Sequence, residues 1–193
     1  MNDILERVAG ESDFIKKILS KLPGFQGYIE REDRRNADKL LRESIAERFE
    51  KLWRRISSLQ KEAVSRGEIE KIDDLESSAI KLRQFIDRVK TASYGYAGFF
   101  DVIKVKTEEL NAIYQYDLQM LELEDEISRA VDNIETSFGT DGLPAAIRHL
   151  ITLSQSCLDI FSQRKEVIVK MGKSEIEEMN PIEEMKKDEN KEK

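Results

Sequence analysis

The sequence has very few of the residues from which disulfides, zinc sites and many catalytic centres are built. Its 193 residues include one cysteine, one histidine and three prolines. A lone cysteine, Cys157, can form neither an internal disulfide nor a cysteine-based zinc site, which agrees with a reducing compartment. So few prolines, together with only 39% hydrophobic residues, favour long solvated helices over a fold of strands and turns.

Long apolar runs are missing as well. No segment approaches the roughly eighteen consecutive apolar residues of a membrane-spanning helix. The first residues, MNDILERVAGESD, carry acidic side chains where a signal peptide has a basic stretch and an apolar core. We therefore expect a cytoplasmic protein, with peripheral attachment to the inner membrane as an open alternative.

What the chain does contain is charge and helical periodicity. Charged residues make up 37% of the sequence, and the formal net charge is −7. Apolar residues recur at steps of three and four through most of the chain, which is the period of an amphipathic helix. The pattern predicts an all-α fold: an elongated antiparallel bundle of about four long helices, mostly up-down-up-down, with a short N-terminal amphipathic helix.

Breaks in this periodicity give the boundaries of the predicted segments. Glycine marks the ends of helices near Gly24, Gly67, Gly139 and Gly172. Residues 1–172 form the predicted bundle domain, and residues 173–193, which are dense in Glu and Lys, form a predicted disordered charged tail. Within the domain we predict an amphipathic helix over 1–22 and long helices over 30–66, 68–93, 108–138 and 144–171.

Three of the predicted helices carry apolar stripes of special interest. The stripe of 68–93 is close to an ideal heptad seam, which would also permit pairing between chains. It consists of Ile72, Leu75, Ala79, Leu82, Ile86 and Val89. The stripe of 108–138 is predicted to include Tyr116. In the last helix Arg164 interrupts the stripe, and we expect its charged end to reach the surface.

Side chains for catalysis or metal binding are few and scattered. His149 is the one histidine, so the Glu-x-x-His pairs of a di-iron bundle are absent. Four carboxylates cluster at Glu122, Glu124, Asp125 and Glu126, but they lie in mid-helix, whereas a calcium loop spaces its ligands around a glycine. No glycine-rich turn continues into the Lys-Ser or Lys-Thr of a phosphate loop. We therefore predict a non-enzymatic protein with no catalytic residue, cofactor or metal ligand.

The first candidate contact surface is the helix that ends before Pro23. Its apolar face would lie in a membrane interface while its lysines attract anionic lipid, or the same face would cap the bundle. The candidate membrane or partner contacts are Phe14, Ile15, Lys16, Lys17, Ile18, Leu19, Lys21 and Leu22.

The second candidate surface is the basic helix that follows. Residues 31–66 contain 11 basic and 7 acidic residues, whereas residues 67–140 contain 8 basic and 16 acidic residues. This asymmetry either reflects complementarity within the chain or marks a surface for an anionic membrane or an acidic partner. Interleaved acids such as Glu43 and Glu47 would repel phosphates, which disfavours nucleic acid. The predicted basic patch comprises Arg34, Arg35, Arg42, Arg54 and Arg55.

Two stretches stand out by their aromatic and glycine residues: LPGFQGYIEREDRRNADKLLRESIAERFEKL, residues 22–52, and ASYGYAGFFDVIKVKTEELNAIYQYDLQML, residues 92–121. In these features the chain resembles a family of prokaryotic helical proteins to which no function is assigned. The resemblance implies no activity. It marks special turn or contact positions at Pro23, Gly24, Gly27, Tyr28, Tyr94, Gly95, Tyr96, Gly98 and Phe99. In layout alone, with a basic N-terminal part before acidic helices, the chain is also similar to phage-shock and ESCRT-III membrane-remodelling proteins.

Three functions are open at this stage. The leading expectation is a non-enzymatic interaction or scaffold protein, which binds a partner protein or the anionic inner membrane surface through its N-terminal amphipathic helix and basic second helix. A second is a ligand-binding or enzymatic helical bundle with a pocket near the linker from Tyr94 to Phe100. A third is an oligomeric coiled-coil scaffold, in which the heptad seam of residues 72–89 pairs two copies of the chain.

Overall fold

The computed structural model describes residues 13–26, 34–92 and 107–179, and these residues are all-α. They form a short helix, α1 (Asp13–Lys21), and four long ones, α2 (Arg34–Ser65), α3 (Ile72–Thr91), α4 (Thr107–Ser137) and α5 (Leu143–Met179). Short 3-10 turns lie at Pro23–Phe25 and Ile69–Lys71. With 32 residues, α2 is about 48 Å long. The predicted elongated helical bundle is confirmed.

The four long helices surround one core as two antiparallel hairpins. α2 packs on α3, and α4 packs on α5, each pair joined by a short connection. The hairpins lie side by side, so that α2 neighbours α4 and α3 neighbours α5, both in parallel. Ion pairs from Arg48 to Glu124 and from Arg55 to Asp132 fix the first of these parallel registers. Helix direction therefore alternates along the chain as predicted, but the consecutive helices α3 and α4 lie diagonally across the core.

Two glycines close the hairpins at one end of the bundle. Gly67 and Gly139 adopt positive φ values of 79° and 76°, a left-handed conformation that costs other residues about 1–2 kcal/mol. The Arg66 guanidinium lies 5.2 Å from the centre of the Phe138 ring, and this contact joins the two turns. Both hairpins thus end at glycines that the sequence marks as helix stops.

The core consists mainly of the predicted apolar stripes, although some stripe positions, such as Ile72, are only half-buried. Phe85 of α3 packs on Phe49 of α2 and on Phe161 of α5, with ring centroids 4.6 and 6.1 Å apart. On α4 the buried position is Asp117, whereas Tyr116, which the periodicity predicts, is only half-buried. Burial of each large apolar side chain contributes about 1.5–3 kcal/mol, so this shared core holds the four helices together.

The last helix is longer than the sequence predicts. α5 continues through Gly172 to Met179, so the predicted helix end at Gly172 is wrong. A glycine inside a helix costs only about 1 kcal/mol relative to alanine, and the residues after it, KSEIEEM, are mostly good helix formers. Residues 1–12 of the predicted amphipathic helix and residues 180–193 of the predicted tail lie outside the described residues. Neither α5 nor any other described helix has the combination of length and apolar character that a bilayer crossing requires.

Candidate functional site

α1 lies against α4 on the side of the bundle, with its apolar face turned inward. Ile15 and Ile18 are 2% and 0% exposed, and both belong to the core. The half-buried side chains that pack around them are Phe14, Leu19 and Leu22. The face that the sequence offers to a membrane or partner is therefore occupied, because it covers the bundle.

The turn after α1 anchors the helix a second time. Pro23 and Gly24 are exposed in a 3-10 turn, and Phe25 is buried with its ring edge-on to Tyr114, at 5.6 Å between centroids. A turn at Pro23 and Gly24 is what the sequence predicts. The other predicted turn positions, Gly27, Tyr28, Tyr94, Gly95, Tyr96, Gly98 and Phe99, lie outside the described residues.

Two lysines of α1 are exposed, and the third forms an ion pair with α4. Lys16 and Lys17 are exposed on the outer side. Lys21, at the end of the helix, forms an ion pair with Asp125 of α4. Arg48 of α2 donates one hydrogen bond to the Lys21 carbonyl at 2.7 Å and another to Glu124 at 2.9 Å. The C-terminal end of α1 is thus held by polar contacts to both α2 and α4, where a cation suits the helix dipole.

One member of the predicted basic patch belongs to the core. Arg42 is 5% exposed, and its Nε donates to Asp38 at 2.8 Å. Assigning Arg42 to a surface patch is therefore wrong, since its guanidinium is withdrawn from solvent. Arg34 and Arg35 form the first turn of α2, and their side chains lie outside the described part of the structure.

The outer members of the patch are matched by acidic residues. Arg54 is exposed and lies 4.0 Å from Glu50, one helical turn away. Arg55 reaches across to α4 and pairs with Asp132 and with Glu135. The contrast between basic α2 and acidic α4 therefore serves complementarity within the chain.

The residues considered for catalysis or metal binding do not converge. His149 is exposed on α5, and Glu122 and Glu126 are exposed on α4. Within residues 13–26, 34–92 and 107–179, no three His, Cys, Asp or Glu side chains come together in a way that could hold a metal ion. Cys157 is buried, and desolvation raises the pKa of its thiol far above the ordinary value, which keeps it protonated and unreactive.

A buried charge network lies at the end of the bundle where α2 and α4 begin. Arg164 of α5 is 0% exposed, so the expectation that its charge reaches the surface is wrong. Its Nε donates to Asp117 Oδ1 at 2.8 Å, and its Nη2 donates to Asp117 Oδ2 at 3.2 Å and to Asp38 Oδ1 at 2.6 Å. With Arg42 on the other oxygen of Asp38, two cations face two carboxylates. Arg164 Nη1 has no hydrogen-bond partner in the described residues.

Sequence reasoning missed this network, although a signal exists. Arg164 lies within an apolar stripe, and Asp38 follows Ala37, the first stripe position of α2. A buried guanidinium requires carboxylates at facing positions, because an unpaired buried charge is far too costly. Asp38 on α2 and Asp117 on α4, each next to a stripe position, are therefore the sequence signal that indicates a buried partner for Arg164.

Desolvation and charge act in opposite directions inside the network. Burial raises the pKa of the Asp117 carboxyl, and the Arg164 guanidinium opposes that shift. Burial by itself would lower the pKa of Arg164, but Asp117 and Asp38 raise it above its ordinary value. The guanidinium therefore stays charged, and the network can hold four side chains from three helices in register. Its hydrogen bonds join α2, α4 and α5 inside the core, so we interpret it as a structural feature.

No family model, no curated protein and no solved structure matches this chain.

Proposed function

We propose that the protein is a non-enzymatic interaction protein whose contact element is α1, which binds the anionic inner membrane surface or a partner protein. The observation that carries the proposal is that the apolar face of α1 which packs on the bundle is also the face that would bind a membrane or a partner protein. Ile15 and Ile18 cover α4 in the docked state, and the same side chains would have to enter a membrane interface or a partner groove. Docking on the bundle and binding outside it are therefore mutually exclusive, and α1 must exchange between them.

The free energy of docking α1 on the bundle should be comparable in size to the free energy of binding α1 at a membrane interface. Each fully buried aliphatic side chain contributes about 1.5–3 kcal/mol, and α1 buries two fully and three in part. Its ion pair from Lys21 to Asp125 is partly exposed, and such pairs contribute about 0–1 kcal/mol. An interfacial membrane site would accept the same apolar face, and each nearby lysine adds about 1 kcal/mol at an anionic surface.

The contribution of α2 to binding is smaller than its sequence suggests. Exposed Lys39 lies 3.8 Å from Glu43, and exposed Lys51 lies 3.0 Å from Glu47. Each glutamate is one helical turn away from its lysine. Local pairing neutralises most of the outer face of α2, so α1 supplies the main attraction for an anionic surface.

The heptad seam of α3 does not favour the oligomeric scaffold. Leu75, Leu82, Ile86 and Val89 are each 0% exposed, because α2 and α5 cover them. Pairing two chains along this seam would require the bundle to open, at the loss of its own core.

Flotation of the full chain with vesicles tests the membrane version. Asp125→Asn removes the partner of Lys21 without changing α1, so it should loosen docking and raise the bound fraction on vesicles of anionic lipid. Asp132→Asn is the matched control, because it also removes a carboxylate of α4, but one that pairs with Arg55 of α2 and not with α1. The double substitution Lys16→Glu with Lys17→Glu should abolish binding, and high salt should weaken it.

The outcome also separates the two kinds of partner. No flotation of either the native chain or Asp125→Asn would contradict the membrane version. The partner version then predicts that proximity labelling in cells loses specific neighbours when Lys16 and Lys17 are changed to Glu. Labelling that is the same for this variant and for Arg148→Glu, an exposed charge reversal on α5, would contradict the role of α1 altogether.

A further inference from the structure

α3 and α5 run in parallel, and a groove opens between them where α3 ends. Their contact is close up to that point: the Ser78 and Ser154 hydroxyls are hydrogen-bonded at 2.7 Å, and Phe85 packs on Phe161. After Thr91 α3 stops, whereas α5 continues. The groove has a volume of about 640 Å³, which is within the range of about 300–1,000 Å³ found for small-molecule sites.

One part of this groove is apolar. Phe161 is buried at 4% exposure, Ala92 is half-buried, and Val169 stands 44% exposed on the next turns of α5. Val169 is one of four large apolar side chains that are exposed in the described residues. An apolar strip therefore runs along α5 beyond the last turn of α3, where an apolar ligand would remove it from water.

The other part of the groove is basic. Arg88 of α3 and Lys165 of α5 both line it and are exposed, and neither makes an ion pair or side-chain hydrogen bond with another described residue. Lys90, two residues from Arg88, differs in this respect because it pairs with Glu50 on the α2 side. One carboxylate, Glu166, also lines the groove. Two unmatched cations against one carboxylate leave a net positive site beside the apolar strip.

We propose that this groove binds a small amphiphilic anion. Its apolar chain would lie on Phe161, Ala92 and Val169, and its carboxylate or phosphate head group would lie between Arg88 and Lys165. Charge-assisted hydrogen bonds orient such a head group, and apolar burial supplies most of the affinity. The proposal is independent of the role of α1, which packs mainly on α4 and contributes no residue to the groove lining.

An NMR titration of the isotope-labelled full chain tests the proposal. Dodecanoate and dodecyl phosphate are added below their micelle-forming concentrations. Acetate, which has an anionic group without an apolar chain, and dodecyltrimethylammonium, which has the chain with a cationic group, are the comparison probes. Either anionic amphiphile should shift the amide resonances of residues 88–92 and 161–169. Changing Arg88 and Lys165 together to Glu should weaken binding by about tenfold or more, and Glu166→Gln should strengthen it.

Arg148→Glu is the matched control, because it reverses an exposed charge on α5 outside the groove. It should leave the affinity unchanged. If the double Glu variant does not fold, Arg88→Gln with Lys165→Gln gives the same comparison. The proposal is overturned if neither anionic amphiphile binds, if acetate or dodecyltrimethylammonium binds as tightly at these residues, or if the double variant behaves like Arg148→Glu.

Discussion

At the scale of single residues, Arg164 determines how the helices pack at the end of the bundle where α2 and α4 begin. Its guanidinium is 0% exposed and bridges Asp38 of α2 and Asp117 of α4. Buried ion pairs contribute little net stability, because desolvation offsets most of the attraction. Their geometry is demanding, however, and we infer that this network selects the register in which α2, α4 and α5 meet.

Removing one member of the Arg164–Asp117 pair should therefore lower the free energy of unfolding far more than removing both members. Arg164→Met leaves Asp117 buried without its cation and Asp38 with Arg42 alone, and we expect it to lower the free energy of unfolding by about 3–5 kcal/mol. Arg164→Met combined with Asp117→Leu leaves the Arg42–Asp38 pair intact, so it should cost less than Arg164→Met alone. Urea denaturation measures all of these values, with Arg54→Met as an exposed control expected to stay within about 0.5 kcal/mol. Additive effects of the two substitutions would show that the side chains are not coupled.

The pH dependence of stability reports on Asp117. Because burial raises the pKa of its carboxyl in the folded chain, folding favours the protonated form. This group therefore supports stability most below its ordinary pKa of about 3.9, and its contribution falls as the pH rises through the raised value. We expect the unfolding free energy of the native chain, minus that of Asp117→Asn, to decrease from about pH 3 upward in urea titrations. A difference that instead grows with pH would mean that Arg164 lowers the pKa of Asp117.

At the scale of elements, glycine controls where the hairpins turn. Gly67 has a φ of 79°, so alanine there would be strained by about 1–2 kcal/mol. Gly24 has an ordinary φ, and a methyl group added at its Cα would meet no atom within 4 Å, so Gly24→Ala is the matched control. Thermal unfolding should show a clear loss for Gly67→Ala and almost none for Gly24→Ala. Equal effects would contradict the assignment of Gly67 as the cap of α2.

Local signals explain why most helices are predictable from the sequence and why some features are not. The stripes of α2 and α3 and the stop at Gly67 are visible because each depends on residues a few positions apart. Asp117 and Arg164 are 47 residues apart, and their pairing depends on which helices become neighbours. The continuation of α5 through Gly172 escapes prediction because one glycine does not outweigh the helix formers on both sides. The docking of α1 does not follow from the sequence either, since an amphipathic face does not specify what covers it.

At the scale of the whole molecule, charge is arranged so that the helices attract one another. Basic α2 lies beside acidic α4, and the ion pairs of Arg48, Arg55 and Lys21 are all with carboxylates of α4. The sequence asymmetry therefore stabilises the bundle before it can attract any outside surface. Under the proposed function, an outside anionic surface would meet the outer side of α1, and its inner side once α1 is released.

Hydrogen exchange of the full chain, with and without vesicles of anionic lipid, tests this exchange of α1 most directly. In the free protein, α1 and the part of α4 beneath it should both be protected from exchange. When the protein binds vesicles, residues 14–22 should stay protected while residues 113–125 of α4 lose protection, because α1 has left them uncovered. Unchanged protection of residues 113–125 in the vesicle-bound protein would contradict the account, since α1 would then bind without leaving the bundle.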